Sequence, residues 1–303
     1  MVLVRYPAAV VAVILSTGLL AGVPTVARGE PALASSIHPA AKKPGHARCD
    51  PEKFRIVVDV GHTAGVPGAK SARGAHEYEF NLRLAKVIAR DLVAAGFAGT
   101  VLMITAEPPR RGLFERVRRA RAIKADFLLS IHHDSVPNSM LETWTYEGEE
   151  RRYSDRFRGH SIFVSNGNPK RRDSLAFARL LGLQMKARGL NYTPHYTLRI
   201  MGHRRRQLVD PEAGVYRYDR LVVLKDSKMP AVLLEAGSII HRDEELLVAT
   251  PEHQALISAA VADAAKAYCA ESIPHAPVVR RRPARGSRTG SAARRPWWPF
   301  GQK

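Results

Sequence analysis

The segment Arg55–Thr63 reads RIVVDVGHT, and its pattern decides the predicted fold. Five of the six residues from Ile56 to Gly61 are Ile, Val or Gly, and Asp59 is the only charged one. A run this apolar is typical of a strand buried on both faces, as in a parallel sheet flanked by helices. Gly61 permits a tight turn, so we expect His62 just beyond the carboxyl end of the strand, where open α/β sheets bind ligands.

Strand-like and helix-like segments alternate along the chain that follows. Apolar residues at helical spacing predict helices over 77–95, 174–188 and 252–268. Further short apolar runs predict strands at 100–105, 126–132, 160–165, 221–224 and 231–235. This alternation predicts an α/β fold, a three-layer sandwich whose mostly parallel central sheet is flanked by helices and carries its active site at the carboxyl ends of the strands.

Three other segments between the linker and residue 271 have weaker patterns. Residues 138–159 are charged and aromatic without a clear period, and we interpret them as an insertion. Residues 113–125 predict a short basic helix whose arginines, Arg116 among them, form a solvated face. Residues 189–219 predict a basic, loop-rich stretch in which His195 and His203 are solvated.

The N-terminus has the layout of an export signal. Arg5 precedes the apolar run Ala8–Val23, and small residues follow it. The run is shorter than the roughly 20 residues that span a bilayer, which favours cleavage over a retained anchor. We therefore predict a signal peptide at 1–34, a linker at 35–52 and an exported protein, periplasmic or extracellular.

The net charge of +19 indicates an anionic partner, and part of it lies in the tail at 272–303. Export argues against nucleic acid and for an anionic membrane or envelope polymer. The tail has too few apolar residues to fold alone and is predicted to be disordered. It is either a solubilising end or, as we favour, an electrostatic tether that also uses Trp297, Trp298 and Phe300.

The only two cysteines, Cys49 and Cys269, bracket the predicted folded body at 53–271. In an oxidising compartment they could form one disulfide that joins its two ends. The alternative is two unrelated thiols.

Three predicted strands end in residues that can take part in metal chemistry, namely His62, His132 and Glu235. A fourth candidate, Glu77, opens the helix after the His62 loop. Two histidines and one carboxylate, with a position left for water, are a common catalytic zinc arrangement. A second carboxylate outside the metal is then needed to accept a proton from water and pass it to the leaving amine.

Four blocks of the sequence resemble the zinc-dependent N-acetylmuramoyl-L-alanine amidases of bacterial peptidoglycan. They are VDVGHTAGVPGA at 58–69, GAHEYEFNLRLA at 74–85, ADFLLSIHHDS at 125–135 and PAVLLEAG at 230–237. The resemblance covers roughly 53–270 and implies that His62, Glu77 and His132 bind Zn²⁺ and that Glu235 is the catalytic carboxylate. Glu77 is preferred to Glu79 because the ligand in the family lies four residues before an asparagine, here Asn81.

The sequence departs from the family after the last histidine ligand, where a small residue and asparagine are usual. His133 and Asp134 stand there instead, and we expect them to contact substrate or to support the ligands. The insertion at 138–159 is not part of the minimal family core. Some members carry a helix near this position that plugs the active site until an activator removes it, so an activator acting on this insertion is a hypothesis.

The resemblance implies that the chain hydrolyses the amide bond between N-acetylmuramic acid and L-alanine in peptidoglycan. Two alternatives remain at this point. One is a non-catalytic envelope-binding protein of the same fold, and the other is an exported zinc peptidase.

Overall fold

The computed structural model describes residues 47–106 and 109–270. The predicted signal peptide, most of the linker and all of the tail lie outside these residues. Within them the strands are β1 Ile56–Val60, β2 Val101–Met103, β3 Phe127–Asp134, β4 Glu142–Tyr146, β5 Glu149–Tyr153, β6 Ser161–Val164, β7 Gln207–Asp210, β8 Val215–Arg217 and β9 Ala231–Ser238. The helices are α1 Glu77–Ala94, α2 Pro109–Ala122, α3 Arg171–Ala187, α4 Val222–Lys225, α5 Arg242–Val248 and α6 Pro251–Ala270. None of these helices combines the length and apolar character needed to cross a bilayer.

The central sheet has seven strands in the order β2-β1-β3-β9-β6-β8-β7. The four neighbours β2, β1, β3 and β9 run parallel to one another. Strand β6 pairs antiparallel with β9, so the direction reverses there. β8 is parallel to β6, and the edge strand β7 is antiparallel to β8. The predicted block of parallel strands therefore places the carboxyl ends of β1, β3 and β9 at one edge.

Helices cover both faces of the sheet. On one face, alternate residues of β1 and β3 pack with the apolar sides of α1, α3 and α6 in a single core. On the other face, the remaining alternate residues pack against α2, α4 and the loop that contains Tyr196 and Met201. Because both faces are covered, all five residues of β1 are buried, including Asp59.

Three segments differ from the sequence predictions. Of residues 221–224, predicted as a strand, the last three lie in the short helix α4 and Leu221 precedes it, because four apolar residues fit either structure. The insertion, for which the sequence predicts no regular structure, contains an antiparallel hairpin of β4 and β5. The loop-rich stretch at 189–219 contains the strands β7 and β8, which complete the sheet.

The two ends of the described chain meet at a disulfide between Cys49 and Cys269. The backbone N–H groups of Arg48 and Cys49 also donate to the carbonyl oxygen of Cys269, at 2.8 and 3.4 Å. These residues, which the sequence assigns to the linker, are therefore attached to the end of α6.

Candidate active site

The sheet register brings the predicted site residues to one edge. His132 on β3 lies directly opposite Glu235 on the neighbouring strand β9. At the end of β1, the N–H group of Gly61 donates to the carbonyl oxygen of Ile131 at 2.9 Å, so the turn into His62 is fixed beside β3. His62, His132 and Glu235 therefore lie together at the carboxyl ends of β1, β3 and β9.

His62, Glu77 and His132 form a compact group of potential metal ligands. One ligand atom from each residue lies within 4.8 Å of those from the other two. His62 Nε2 is 3.0 Å from Glu77 Oε2, and His132 Nδ1 is 3.0 Å from Glu77 Oε1. Two imidazole nitrogens and one carboxylate are a donor set that suits zinc.

The Glu77 carboxylate is held from several directions. Asn81 Nδ2, one helical turn along α1, donates to Oε1 at 3.1 Å, and the Ala69 N–H group donates to Oε2 at 3.2 Å. Burial favours a higher pKa for Glu77, but hydrogen bonds and charge from His132 and His62 outweigh it and hold the pKa well below its usual range. Glu77 is therefore a fixed carboxylate that stays ionised beside the two histidines.

Two glycines allow this close approach. A Cβ atom on Gly61 would lie 2.5 Å from the His132 ring, and one on Gly68 would lie 2.5 Å from Glu77 Oε2 and 2.7 Å from His62. Gly68 also has φ +80°, in the left-handed region that favours glycine. Side chains at these positions would occupy space that the ligand group needs.

Glu235 stands on the same edge without belonging to the ligand group. Its Oε2 atom is enclosed and accepts no hydrogen bond from the described part of the protein. Burial, and then the negative charges of Asp134 and Glu77, raise the pKa of Glu235 well above its usual range. A carboxyl group with a raised pKa is suited to exchanging protons near neutral pH.

The family is shown by the match of the whole α/β body. The family model for N-acetylmuramoyl-L-alanine amidase matches residues 56–267, from the first strand to the last helix. This chain belongs to the N-acetylmuramoyl-L-alanine amidase family. The predicted family, the α/β fold class and the amidase activity are thereby confirmed.

Individual relatives of this amidase are distant. A protein of Buchnera aphidicola subsp. Baizongia pistaciae, provisionally named an N-acetylmuramoyl-L-alanine amidase, is 25% identical over 222 residues, covering 70% of this chain and 95% of that protein. The provisionally named cell wall amidase LytH of Staphylococcus aureus is 26% identical over 215 residues, covering 70% of this chain but only 57% of LytH.

Two solved structures share the fold of this amidase. The Ami1 amidase of Mycobacterium smegmatis superposes with a TM-score of 0.53 at 16% identity and covers 72% of this chain and 97% of that one. The catalytic domain of CwlV from Bacillus (Paenibacillus) polymyxa var. colistinus gives 0.51 at 23% identity, with 71% and 97% covered.

His133 and Asp134 follow His132 on β3, and their contact with substrate stays a prediction. Both are buried, and His133 Nδ1 lies 2.8 Å from Oδ1 of Asn81, the residue that donates to Glu77. Burial lowers the pKa of His133 to about 3 and raises that of Asp134 to about 7. Asp134 accepts a hydrogen bond of 2.8 Å from the Tyr196 hydroxyl.

The sequence predictions missed several residues around the amidase site. His195 was expected in solvent, yet it is buried with Nε2 3.6 Å from Asp134 Oδ2. Arg204 lies near enough to oppose the raised pKa values of Asp134 and Glu235. Arg116 was assigned to a solvated face but is only 4% exposed. The feature of the sequence that could have indicated a buried Arg116 is Asp59, because a charged residue in a buried strand requires a partner of opposite charge.

A cavity of ≈230 Å³ adjoins the ligand group on the side of α2 and α4. His62 and His132 contribute to one wall, and Val66, Leu113 and Val223 supply apolar surface. A small apolar group of a bound substrate could occupy this space while its amide faces the histidines.

Proposed function

We propose that this amidase is zinc-dependent and hydrolyses the amide bond between N-acetylmuramic acid and L-alanine in peptidoglycan. The observation that supports this most directly is the convergence of His62, Glu77 and His132 within 4.8 Å, with Glu235 opposite His132 in the sheet. Family membership supports the substrate and the bond.

The residues present fit a zinc ion. His62, Glu77 and His132 would hold it, and a set of three protein ligands leaves a position for water or substrate. Zinc bound there would supply a Lewis acid for the scissile carbonyl and lower the pKa of water. The hydrogen bonds from Asn81 and Ala69 orient the Glu77 carboxylate toward the histidines before any metal binds.

We propose that Glu235 moves the proton. In its ionised form it would accept a proton from the attacking water, and in its protonated form it would donate that proton to the leaving amine of L-alanine. Within residues 47–106 and 109–270 the Oε2 atom has no hydrogen-bond partner, which supports its use in such an exchange. Burial, together with the carboxyl groups of Asp134 and Glu77, would maintain the raised pKa of Glu235.

Both alternatives are less well supported. A purely binding protein would have no need of two histidines, a glutamate and a further carboxyl group at one edge. An exported zinc peptidase would use the same groups, but the match over 56–267 is to a muramoyl amidase. Metal analysis of the purified protein distinguishes the amidase from a purely binding protein. Analysis of the bond that is cut distinguishes it from a zinc peptidase.

We propose that the protein acts outside the cytoplasm, with residues 1–34 as the signal and residues 53–271 as the catalytic domain. The disulfide between Cys49 and Cys269 and the cell-wall substrate both suit an oxidising, exported setting. We also propose that the tail at 272–303 contacts an anionic membrane or envelope polymer, and that an activator protein acts on the hairpin of β4 and β5.

Substitution of Glu235 tests the assigned chemistry. We expect Glu235→Gln to keep bound zinc but to lose activity on purified peptidoglycan by about 10²- to 10⁴-fold, because the amide cannot exchange the proton. We expect His62→Ala to lose both zinc and activity. Zinc content by elemental analysis and release of peptide amino groups are the two measurements. Full activity in Glu235→Gln would refute the assigned role.

A further inference from the structure

Arg116 differs from the other arginines of α2 in its surroundings. It is 4% exposed, whereas the side chain of Arg118 is 70% exposed and that of Arg119 is 41% exposed. Its guanidinium group reaches from α2 to the end of β1, where it contacts Asp59 and Val60. The N–H groups of a buried guanidinium require hydrogen-bond acceptors, and those acceptors show which part of the protein Arg116 fixes in place.

Those partners are successive parts of the turn that leads to His62. Arg116 Nη1 donates to the Asp59 carboxylate and to the carbonyl oxygen of Val60, and Nη2 donates to the carbonyl oxygen of His62. The second oxygen of Asp59 accepts a hydrogen bond of 2.7 Å from the Ser130 hydroxyl on β3. The planar guanidinium of Arg116 therefore joins β1 to the backbone of the first ligand, and Asp59 extends this link to Ser130 on β3.

The backbone that Arg116 holds has an unfavourable conformation. His62 has φ +65°, in the left-handed region that side chains rarely adopt. Such a conformation persists only where surrounding contacts impose it. The intervening carbonyl oxygen, that of Gly61, accepts a hydrogen bond of 3.2 Å from Asn81 Nδ2, so three successive carbonyl groups are held by side chains.

We infer that Arg116 is a positioning residue for the metal site, one that fixes the backbone of His62 so that its ring faces Glu77 and His132. This inference rests on the proposed function, because it assumes that these three residues bind zinc. The hydrogen bonds of Arg116 go to Asp59 and to the carbonyl oxygens of Val60 and His62, so its effect on the site passes through the backbone. A lysine could pair with Asp59 but could not donate to both carbonyl groups with the same geometry.

The test compares zinc affinity with stability in the full-length protein. Zinc dissociation constants would be measured by competition with a chromogenic chelator for the wild type, Arg116→Lys and Arg116→Met, with the exposed Arg121→Met as the matched control. The unfolding free energy of each metal-free protein would be measured in parallel, so that loss of folding is separated from loss of positioning.

We expect the zinc affinity to fall about 10- to 100-fold in Arg116→Met, as for other groups that orient metal ligands, and by less in Arg116→Lys. Arg121→Met should bind zinc like the wild type. If folded Arg116→Met binds zinc within twofold of the wild type while its stability falls, Arg116 is only a structural ion pair and the inference is wrong. Should Arg116→Met fail to fold, Arg116→Lys decides by the same criterion. A wild type that binds no zinc would defeat the proposed function itself.

Discussion

At the scale of single residues, the ligand group depends on positions that have no side chain. Gly61 and Gly68 lie against the His132 ring and the Glu77 carboxylate, at distances that a Cβ atom does not tolerate. The Glu77 carboxylate is in turn fixed by a neutral group, since Asn81 donates to it and also contacts His133. Replacing either glycine by a residue with a side chain should therefore weaken metal binding, even when that side chain is a single methyl group.

We predict that Gly68→Ala weakens zinc binding by about 10-fold or more, because the new methyl group would displace Glu77 Oε2 or the His62 ring. The positive φ of Gly68 adds a backbone penalty of about 1 kcal/mol to folding. Isothermal titration of the metal-free protein with zinc gives the affinity.

Gly65→Ala is the matched control in the same loop, since a Cβ atom there meets nothing within 4 Å. Its zinc affinity should equal that of the wild type. Equal affinities in Gly68→Ala and the wild type would contradict the close approach of Glu77 and His62 to Gly68.

A second prediction concerns His160, which lies at the start of β6 and is 3% exposed. Burial lowers its pKa from 6.5 to about 4. Between these values the unfolded chain binds more protons than the folded one, so the free energy of unfolding falls as the pH is lowered through this window. The contribution of His160 is about 2 kcal/mol between pH 7.5 and pH 5.

Denaturant unfolding of metal-free protein at the two pH values measures this effect. His160→Gln does not titrate there, so its loss of stability on acidification should be smaller than that of the wild type by about that amount. An identical pH dependence in the two proteins would contradict the buried, neutral state of His160.

At the scale of elements, the hairpin of β4 and β5 contacts the loop that leads into Glu77. Trp144 Nε1 donates to the carbonyl oxygen of Ala72 at 3.0 Å, and the guanidinium group of Arg73 lies 5.3 Å from the Trp144 ring centre. The hairpin therefore holds the segment between two proposed ligands. A protein that displaced it would act on the site through this loop.

We predict that replacing residues 142–153 by a short glycine linker raises hydrolysis of purified peptidoglycan severalfold, because the loop at 71–75 is released. The strands pair Glu142 with Tyr153, so a short linker can join their ends. Trp144→Phe keeps an aromatic side chain but loses the N–H group that donates to Ala72, and it should have a smaller effect. Unchanged activity after the deletion would count against an activator acting on this hairpin.

The elements also show what local patterns can and cannot predict. The runs that form β1, β3 and β9 are strongly apolar. The polar residues predicted to lie together at their carboxyl ends, His62, His132 and Glu235, do meet at one edge of the sheet. Three of the four residues at 221–224 form part of the helix α4, because packing against the sheet, and not the local pattern, decides so short a segment. The burial of Arg116 could not be read from its basic helix, because its partner Asp59 lies 57 residues away.

At the scale of the whole molecule, the disulfide joins residues that are 220 positions apart, so it closes the entire catalytic body. Cross-linking so long a loop restricts the unfolded chain strongly. We predict that the double variant Cys49→Ser/Cys269→Ser loses about 2–5 kcal/mol of stability while its zinc affinity is unchanged. The change is measured by denaturant unfolding of metal-free protein.

Treatment with a thiol-free reductant supplies the control for this prediction. It should destabilise the wild type by a similar amount and leave the double variant unaffected. Equal stability of the oxidised and reduced wild type would mean that the bond contributes nothing to holding the ends of the body together.

The most direct test of zinc-dependent muramoyl amidase activity is mass spectrometry of peptidoglycan digested by the protein. Metal-free protein and the same sample reloaded with zinc would be compared on identical material. We predict that only the reloaded protein releases free stem peptides that begin with alanine and leaves glycan strands with intact lactyl groups. Release of these peptides by the metal-free protein, or of peptides cut at any other bond by the reloaded one, would contradict the account.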